Sequence, residues 1–342
     1  MFRTWLPSLT FVYCISALYA PLASAQTETE WNKVIEAAKG EGNVTVYSAV
    51  TGAPQPKAIA KLFEDKYGIR VEILEGRPAE IHERIRMEAG ANKAIGDITL
   101  NGSTTVALLR SQGLIAPLPR VPNASKVVIP VSSPDELMLF VNAYGIVANT
   151  AAVKKEDRPR SWLDLLDHKW KGKILANDPA TTGAAATTFS VLLDKFGEDY
   201  HRKYAKQDLS INLQTRDNPR RVARGEFAIF APFTLTDMGA LEGLPLEPIV
   251  PSEGAVYTPF SLSALKGSPH PNAARLLMNF FLEDEAQLIY ARSGYPIAIG
   301  GLVDRVPDEK KWSVTAKLLG SADLTKQEER LKLAGQIYHN KQ

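Results

Sequence analysis

The chain has 342 residues, 45% of them hydrophobic and 23% charged, with 40 basic and 38 acidic side chains. So apolar a composition buries enough surface to offset its ordering entropy, which excludes a disordered chain. A formal net charge of +2, with both signs interspersed, excludes a nucleic-acid footprint and a charged tail, and the length suggests about two domains of roughly 150 residues each.

The first residues read as a secretory signal. Arg3 is the positive start, Trp5 to Ala20 the mostly apolar stretch, and Ala23-Ser24-Ala25 the small-residue cleavage site before Gln26. The apolar run falls short of the ~20 residues a membrane span needs. Cys14 lies inside this segment between Tyr13 and Ile15, which does not suit a lipoprotein. Cleavage after Ala25 would leave 317 residues without a cysteine, excluding disulfides, thiolate metal sites, iron–sulfur clusters and cysteine nucleophiles. The expected compartment is a bacterial periplasm or the cell exterior.

In chain order, Asn43 to Ser48 is β-branched and aromatic and predicts a strand. A helix follows the turn at Thr51-Gly52, with Ile59, Leu62 and Phe63 on one face and Gly68 as its stop. Ile69 to Leu74 alternates like a strand, Ile81 and Ile85 mark a helix ending at Gly90, and Asp97 to Leu100 is a short strand. Gly102-Ser103-Thr104 opens a helix carrying Val106 and Leu109. Strand–helix alternation of this kind builds a largely parallel sheet covered on both faces.

The second half repeats the pattern. Leu137 to Ala148 is a long apolar strand of the sort that crosses between lobes, and Ser161-Trp162-Leu163-Asp164 forms a capping box. Lys173 to Ala176 predicts a strand, and Thr181-Thr182-Gly183 leads into a helix with Phe189, Leu192 and Leu193. Asn218-Pro219 should cap a helix that Gly225 ends. Phe227 to Ala231 and Ala255 to Leu265 predict strands, and Pro271 to Ser293 one long helical stretch.

Three stretches, in this order and spacing, carry a resemblance. They are Ser161-Trp162-Leu163-Asp164-Leu165-Leu166, then Trp170-Lys171-Gly172-Lys173-Ile174, then Lys266-Gly267-Ser268-Pro269-His270-Pro271-Asn272-Ala273-Ala274. The chain resembles the type 2 periplasmic solute-binding proteins of ABC importers, in the branch of ferric-iron and phosphorylated-sugar binders, over nearly its whole length. The resemblance implies an α/β, two-lobed fold, each lobe a mixed, mostly parallel sheet flanked by helices, with two strand crossings near residues 141 and 256 as the hinge. Residues 1–25 would be the signal, 26–141 with 256–305 the first lobe, and 142–255 with 306–342 the second. It further implies a monomer without cofactor, a small-molecule ligand, and an inner-membrane permease with its ATPase as partner.

The ligand has to come from the residues. The iron-binding relatives carry paired tyrosines after the strand at Phe227 to Ala231, where this chain has Pro232-Phe233 and then Thr234. Asn101 and Gly102 stand where they carry a glutamate, and Ala49 to Gly52 where they often place a histidine. Ferric iron needs several hard anionic oxygens, so a small organic anion is the better expectation. Four turns, at Thr51-Gly52, Gly102-Ser103-Thr104, Thr181-Thr182-Gly183 and Asp217-Asn218, open helices whose N-termini offer free N–H groups and partial positive charge. Such turns lie at the carboxyl ends of strands, where open α/β sheets bind ligands. Ordinary capping accounts for each turn singly.

The candidate ligand-binding residues are therefore Ser48, Thr51, Arg77, Asn101, Ser103, Thr181, Thr182, Arg216, Asn218, Thr234 and Tyr257. Arg77 and Arg216 could hold an anion bidentately or lie solvated in loops. Tyr257 could stack on an organic ligand or pack in the hinge. Arg220, Arg221 and Arg224 follow helical spacing and predict a solvent face, and Phe233 and Phe260 predict packing. No catalytic residue and no metal site are expected. The five histidines are scattered, His82-Glu83 lacks a second ligand at Arg86, and neither a nucleophile elbow nor a phosphate loop occurs.

Overall fold

The computed structural model describes residues 20–130, 133–212 and 217–339, with side chains described from Glu28 onward. The proposed signal up to residue 19 and Arg216 lie outside the described residues. No helix among the described residues is long and apolar enough to cross a membrane.

The chain opens with α1 (Ala20–Glu41), then alternates β1 (Asn43–Ser48), α2 (Pro54–Tyr67), β2 (Arg70–Glu75), α3 (Pro78–Gly90), β3 (Ile98–Gly102) and α4 (Ser103–Ser111). The long β4 (Leu137–Asn149) leads to β5 (Ile174–Asn177), α5 (Ala184–Phe196), α6 (Glu198–Ala205), β6 (Ser210–Asn212), α7 (Asn218–Ala223), β7 (Ile229–Thr234) and β8 (Leu246–Ile249). A second long strand, β9 (Ala255–Ala264), returns to α8 (Pro271–Phe281) and α9 (Asp284–Arg292). Then α10 (Asp308–Val314), β10 (Leu318–Gly320) and α11 (Gln327–Tyr338) close the chain.

All ten strands join one sheet in the order β2-β1-β3-β9-β4-β7-β5-β6, with β10 beside β9 and β8 beside β4. Within each wing the helix-connected strands are parallel: β2, β1 and β3 in the first, β7, β5 and β6 in the second. The two long strands run antiparallel through the middle, pairing from Leu137–Leu262 to Tyr144–Val256. This is a two-lobed α/β fold with two strand crossings.

Directions follow from register. β4 runs antiparallel to β9, which runs antiparallel to β3, so β4 and β3 point the same way. β7 is antiparallel to β4, with Thr234 opposite Tyr144, so the strands of the second wing end toward the first. The carboxyl edges of both wings therefore face each other across Tyr144 and Thr258, whose hydroxyls bond at 2.9 Å.

The elements match their predicted places closely where one face is apolar. α2 starts with proline, buries Ile59, Ala60 and Phe63, and ends at Gly68 with φ 71°, a left-handed conformation suited to glycine. Leu62 departs from the reading: it is 40% exposed, because the buried stripe is completed by Ala60. The stretch from Pro271 to Ser293 is two helices, since Glu283 takes an extended conformation, its carbonyl accepts from Gln287, and Leu282 turns into the core. α1, α10 and α11 were not anticipated, and β7 starts at Ile229 rather than Phe227.

The motifs behind the resemblance turn out to be braces. Buried Asp97 accepts from Ser268 Oγ, the His270 N–H and Thr45 N–H, at 2.6, 2.9 and 2.8 Å, and its other contact is His270 Nδ1 at 3.0 Å. Glu41 caps α8 by accepting from the backbone of Asn272 and Ala273. The capping box is present, with Asp164 N–H donating to Ser161 Oγ and Ser161 N–H to the Asp164 carboxylate. Buried Trp162 donates its indole N–H to the Gly254 carbonyl at 3.0 Å.

Candidate functional site

The facing carboxyl edges define a cleft with one rim on each wing. On the first rim, β1 ends at Ser48, which is fully buried, and its Oγ accepts from Val50 N–H at 3.1 Å. Thr51 donates its hydroxyl to the Gly76 carbonyl, and the Gly52 N–H donates to Glu75 at 3.2 Å. Lys57 and that N–H hold the Glu75 carboxyl below its ordinary range. The α2 turn is thus occupied by the protein's own carboxylate, and prolines at 54 and 56 remove two further donors.

Arg77 sits at the start of α3, but its side chain is 81% exposed and bonds Glu80 at 2.6 and 2.9 Å. Glu80 also accepts from the Arg77 N–H, so one carboxylate holds both the guanidinium and the backbone at the start of α3. The Nε and Nη2 of Arg77 are engaged by Glu80 in an exposed pair, which favours the solvated-loop alternative for Arg77.

α4 differs. Gly102 precedes it without a side-chain cap, leaving Ser103 (6% exposed) and Thr104 at an open N-terminus. Asn101 beneath is fully buried, donates to Thr99 Oγ1 at 2.6 Å, and keeps an unpartnered Oδ1. Its register partner on β9 is Ser261. Alternation along β9 therefore puts Tyr257, 8% exposed, on the same face as Asn101.

On the second rim, Asp178 folds the loop after β5 by accepting from Ala180 N–H and contacting His339 Nε2 at 3.0 Å. Thr181 donates its hydroxyl to the Asp178 carbonyl. Thr182 is exposed, and Gly183 enters α5 at φ 131° and ψ −156°, where side chains are strained. No side chain caps α5. Thr104 of α4 and Thr182 and Gly183 of α5 line one common pocket, with Asp323, Gln327 and Arg330 from the C-terminal segment. Two uncapped helix N-termini, one per rim, thereby converge.

The fourth turn is read one residue off. Asp217, not Asn218, precedes α7, and Asn218 is buried with its side chain bonded to Asn212 and Asn177. α7 has only six residues, too short for a substantial dipole. Thr234 ends β7 opposite Tyr144, whose hydroxyl burial pushes up to about 12. Phe233 is fully buried beside Phe230, and Phe260 stacks on Phe140 at 5.1 Å; both pack as expected. Arg221 and Arg224 pair with Glu226. Among the described residues, no group of three or more His, Cys, Asp or Glu side chains is placed to hold a metal ion.

The sequence profile of bacterial extracellular solute-binding proteins matches residues 97–321, from the bracing Asp97 to the C-terminal segment. The chain belongs to this family. Its members are binding proteins that serve ABC importers, so this solute-binding protein has a small-molecule ligand and a permease as partner. It is 24% identical over 278 residues to a Salmonella typhimurium protein provisionally named as a 2-aminoethylphosphonate-binding periplasmic protein, covering 75% of this chain and 77% of that one. Among solved structures it resembles the ferric iron-binding protein A of Mannheimia haemolytica in an open conformation, with TM-score 0.73, 18% identity, and coverage of 88% and 100%. It also resembles the periplasmic binding protein AfuA of Actinobacillus pleuropneumoniae with fructose-6-phosphate bound, with TM-score 0.58, 24% identity, and coverage of 87% and 97%.

Proposed function

We propose that this solute-binding protein works in the periplasm, after cleavage behind Ala25, and captures a small organic anion (phosphate ester, phosphonate or carboxylate) between its lobes. The observation that carries the reading is the pocket shared by Thr104, Thr182 and Gly183, where the uncapped starts of α4 and α5 meet. Free N–H groups and the positive ends of two helices stabilise negative charge there, beside an Arg330 whose guanidinium is already held by Asp194 and Ser190. Ser103, Thr104, Thr182, Gly183 and Tyr257 are the residues assigned to the ligand, with Asn218 and Thr234 on the supporting rim. Arg216 keeps its role as a candidate outside the described residues.

The lobes are read as residues 26–141 with 256–305 and residues 142–255 with 306–342, a division supported by the change of pairing partners at Tyr144 and Val256. Ligand bound to one rim draws the other toward it by bending β4 and β9, and the permease recognises the closed form. The protein acts as a monomer and turns nothing over. The 2-aminoethylphosphonate and fructose-6-phosphate named for two similar proteins both carry a tetrahedral oxyanion, which suits converging helix N-termini. Similar ferric-binding proteins keep iron as the second reading, against which stand Pro232 and the buried Phe233 at the place where the family resemblance implies paired tyrosines.

A thermal-shift panel tests the choice: phosphorylated sugars, phosphonates, carboxylates, and ferric iron with and without citrate. A ligand at about 100 times its Kd adds roughly 2.7 kcal/mol and visibly raises Tm. A selective rise with one anion class is expected; a rise with ferric iron alone contradicts the proposal.

A further inference from the structure

Three asparagines from separate parts of the sequence meet on the second rim. Asn177 ends β5, Asn212 ends β6 directly opposite it in register, and Asn218 opens α7. Asn218 is fully buried and Asn177 is 9% exposed. The Asn212 amide donates to Asn218 Oδ1 at 3.0 Å, and Asn218 Nδ2 donates to Asn177 Oδ1 at 2.8 Å.

A side-chain amide has one carbonyl oxygen and one NH₂ group, so a chain of such bonds has a direction. Each link spends the oxygen of the next residue. The Asn177 oxygen is therefore turned back into the protein, while its NH₂ has no protein partner among the described residues; Asn177 stands at the carboxyl edge of β5 and lines a pocket that shares Pro179 and Phe189 with the one between α4 and α5. Aligned amides polarise one another, which strengthens the last donor.

We infer that Asn177 contacts the ligand as a donor of two N–H groups, and that Asn218 is the positioning residue that fixes which end of the Asn177 amide faces the cleft. The inference rests on the reading of the cleft as an anion site. It adds a selectivity: a fully deprotonated oxyanion head, which only accepts hydrogen bonds, is preferred over a hydroxyl-bearing head that must also donate.

The test is calorimetric titration of the wild-type protein and its variants with 2-aminoethylphosphonate and with inorganic phosphate. Asn177→Asp removes both donors at constant shape, and affinity for the bound probe should fall 100-fold or more with Tm nearly unchanged. Asn177→Ala, which adds no charge, should lose about tenfold and decides the matter if Asn177→Asp does not fold. In Asn218→Asp the position can accept but no longer donate. The Asn177 amide then rotates and its oxygen faces the ligand, so affinity should fall about tenfold. That loss should vanish when Asn218→Asp is made in an Asn177→Ala background, whereas a merely structural Asn218 would add its loss in either background. Undiminished binding by a folded Asn177→Asp or Asn177→Ala protein overturns the inference and leaves the anion site standing. If the wild type binds neither probe, the reading of the cleft fails and carries this inference with it.

Discussion

The two rims of the cleft carry similar residue types and treat them in opposite ways. On the first, the polar side chains are mostly satisfied within the protein. Ser48 accepts from Val50, Thr51 donates to Gly76, Arg77 is spent on Glu80, and Glu75 occupies the α2 turn. What it leaves free is the backbone at the start of α4 and the Oδ1 of buried Asn101 beneath it. On the second, the amide chain through Asn218 carries hydrogen bonding outward to Asn177, and α5 opens at a glycine in an unusual conformation. Residue type alone does not identify a ligand contact; a donor contributes only if no neighbour has already claimed it.

The largest expected effect concerns the brace beneath the second rim. His201, 2% exposed, contacts the Phe189 carbonyl through Nε2 at 3.0 Å and the Tyr338 hydroxyl through Nδ1 at 2.9 Å. Burial lowers its pKa from 6.5 to about 4, outweighing the Phe189 carbonyl, which favours the protonated ring. The unfolded chain then binds more protons than the folded one below pH 6.5, so stability is full above 6.5 and declines as the pH falls toward 4. The loss is about 3 kcal/mol over that window. Urea unfolding of the wild type and His201→Gln between pH 7 and 4 measures it. An equal slope in both proteins would contradict the assignment.

A smaller effect separates the two glycines that precede the open helices. Gly183→Ala forces a side chain onto φ 131° and should cost about 1–3 kcal/mol of stability, with a greater than tenfold loss of anion affinity. Gly102 has an ordinary φ of −69°, and an added Cβ would lie 3.6 Å from Phe260, so Gly102→Ala should shift stability by less than about 1 kcal/mol. Thermal unfolding of the pair breaks the comparison if both behave alike. The smallest effect is expected at Arg77. Arg77→Ala should change affinity less than twofold, because the side chain is exposed and paired; a tenfold loss in a binding titration would return it to the site.

Much of this was legible in the sequence. β1, α2, α3 and α4 announced themselves through alternation or through pairs such as Ile81 and Ile85, since one apolar face forces a visible period. α1 carried a signal too, Val34 and Ala38 four apart on a buried face, but within a mostly polar stretch. α11 was hidden because one of its buried residues is Arg330, paired with Asp194. The break at Glu283 involves neither glycine nor proline, so no local punctuation marked it. In the site, the small turns before α4 and α5 were readable from Gly102 and Gly183. The sorting of one turn from another was not, since Glu75 answers Gly52 from 23 residues away. Asn177 was missed because its partner Asn218 lies 41 residues on, and the two meet only once β5 and β6 are paired and α7 folds back onto them.

The central claim is that negative charge on the ligand is what the converging starts of α4 and α5 recognise. Isothermal titration with matched pairs tests this most directly: 2-aminoethylphosphonate against ethanolamine, and fructose 6-phosphate against fructose. The account predicts saturable binding of a phosphonate or phosphate member and none of its stripped counterpart. Equal binding of both members of a pair, or silence from all four while ferric iron binds, would contradict it.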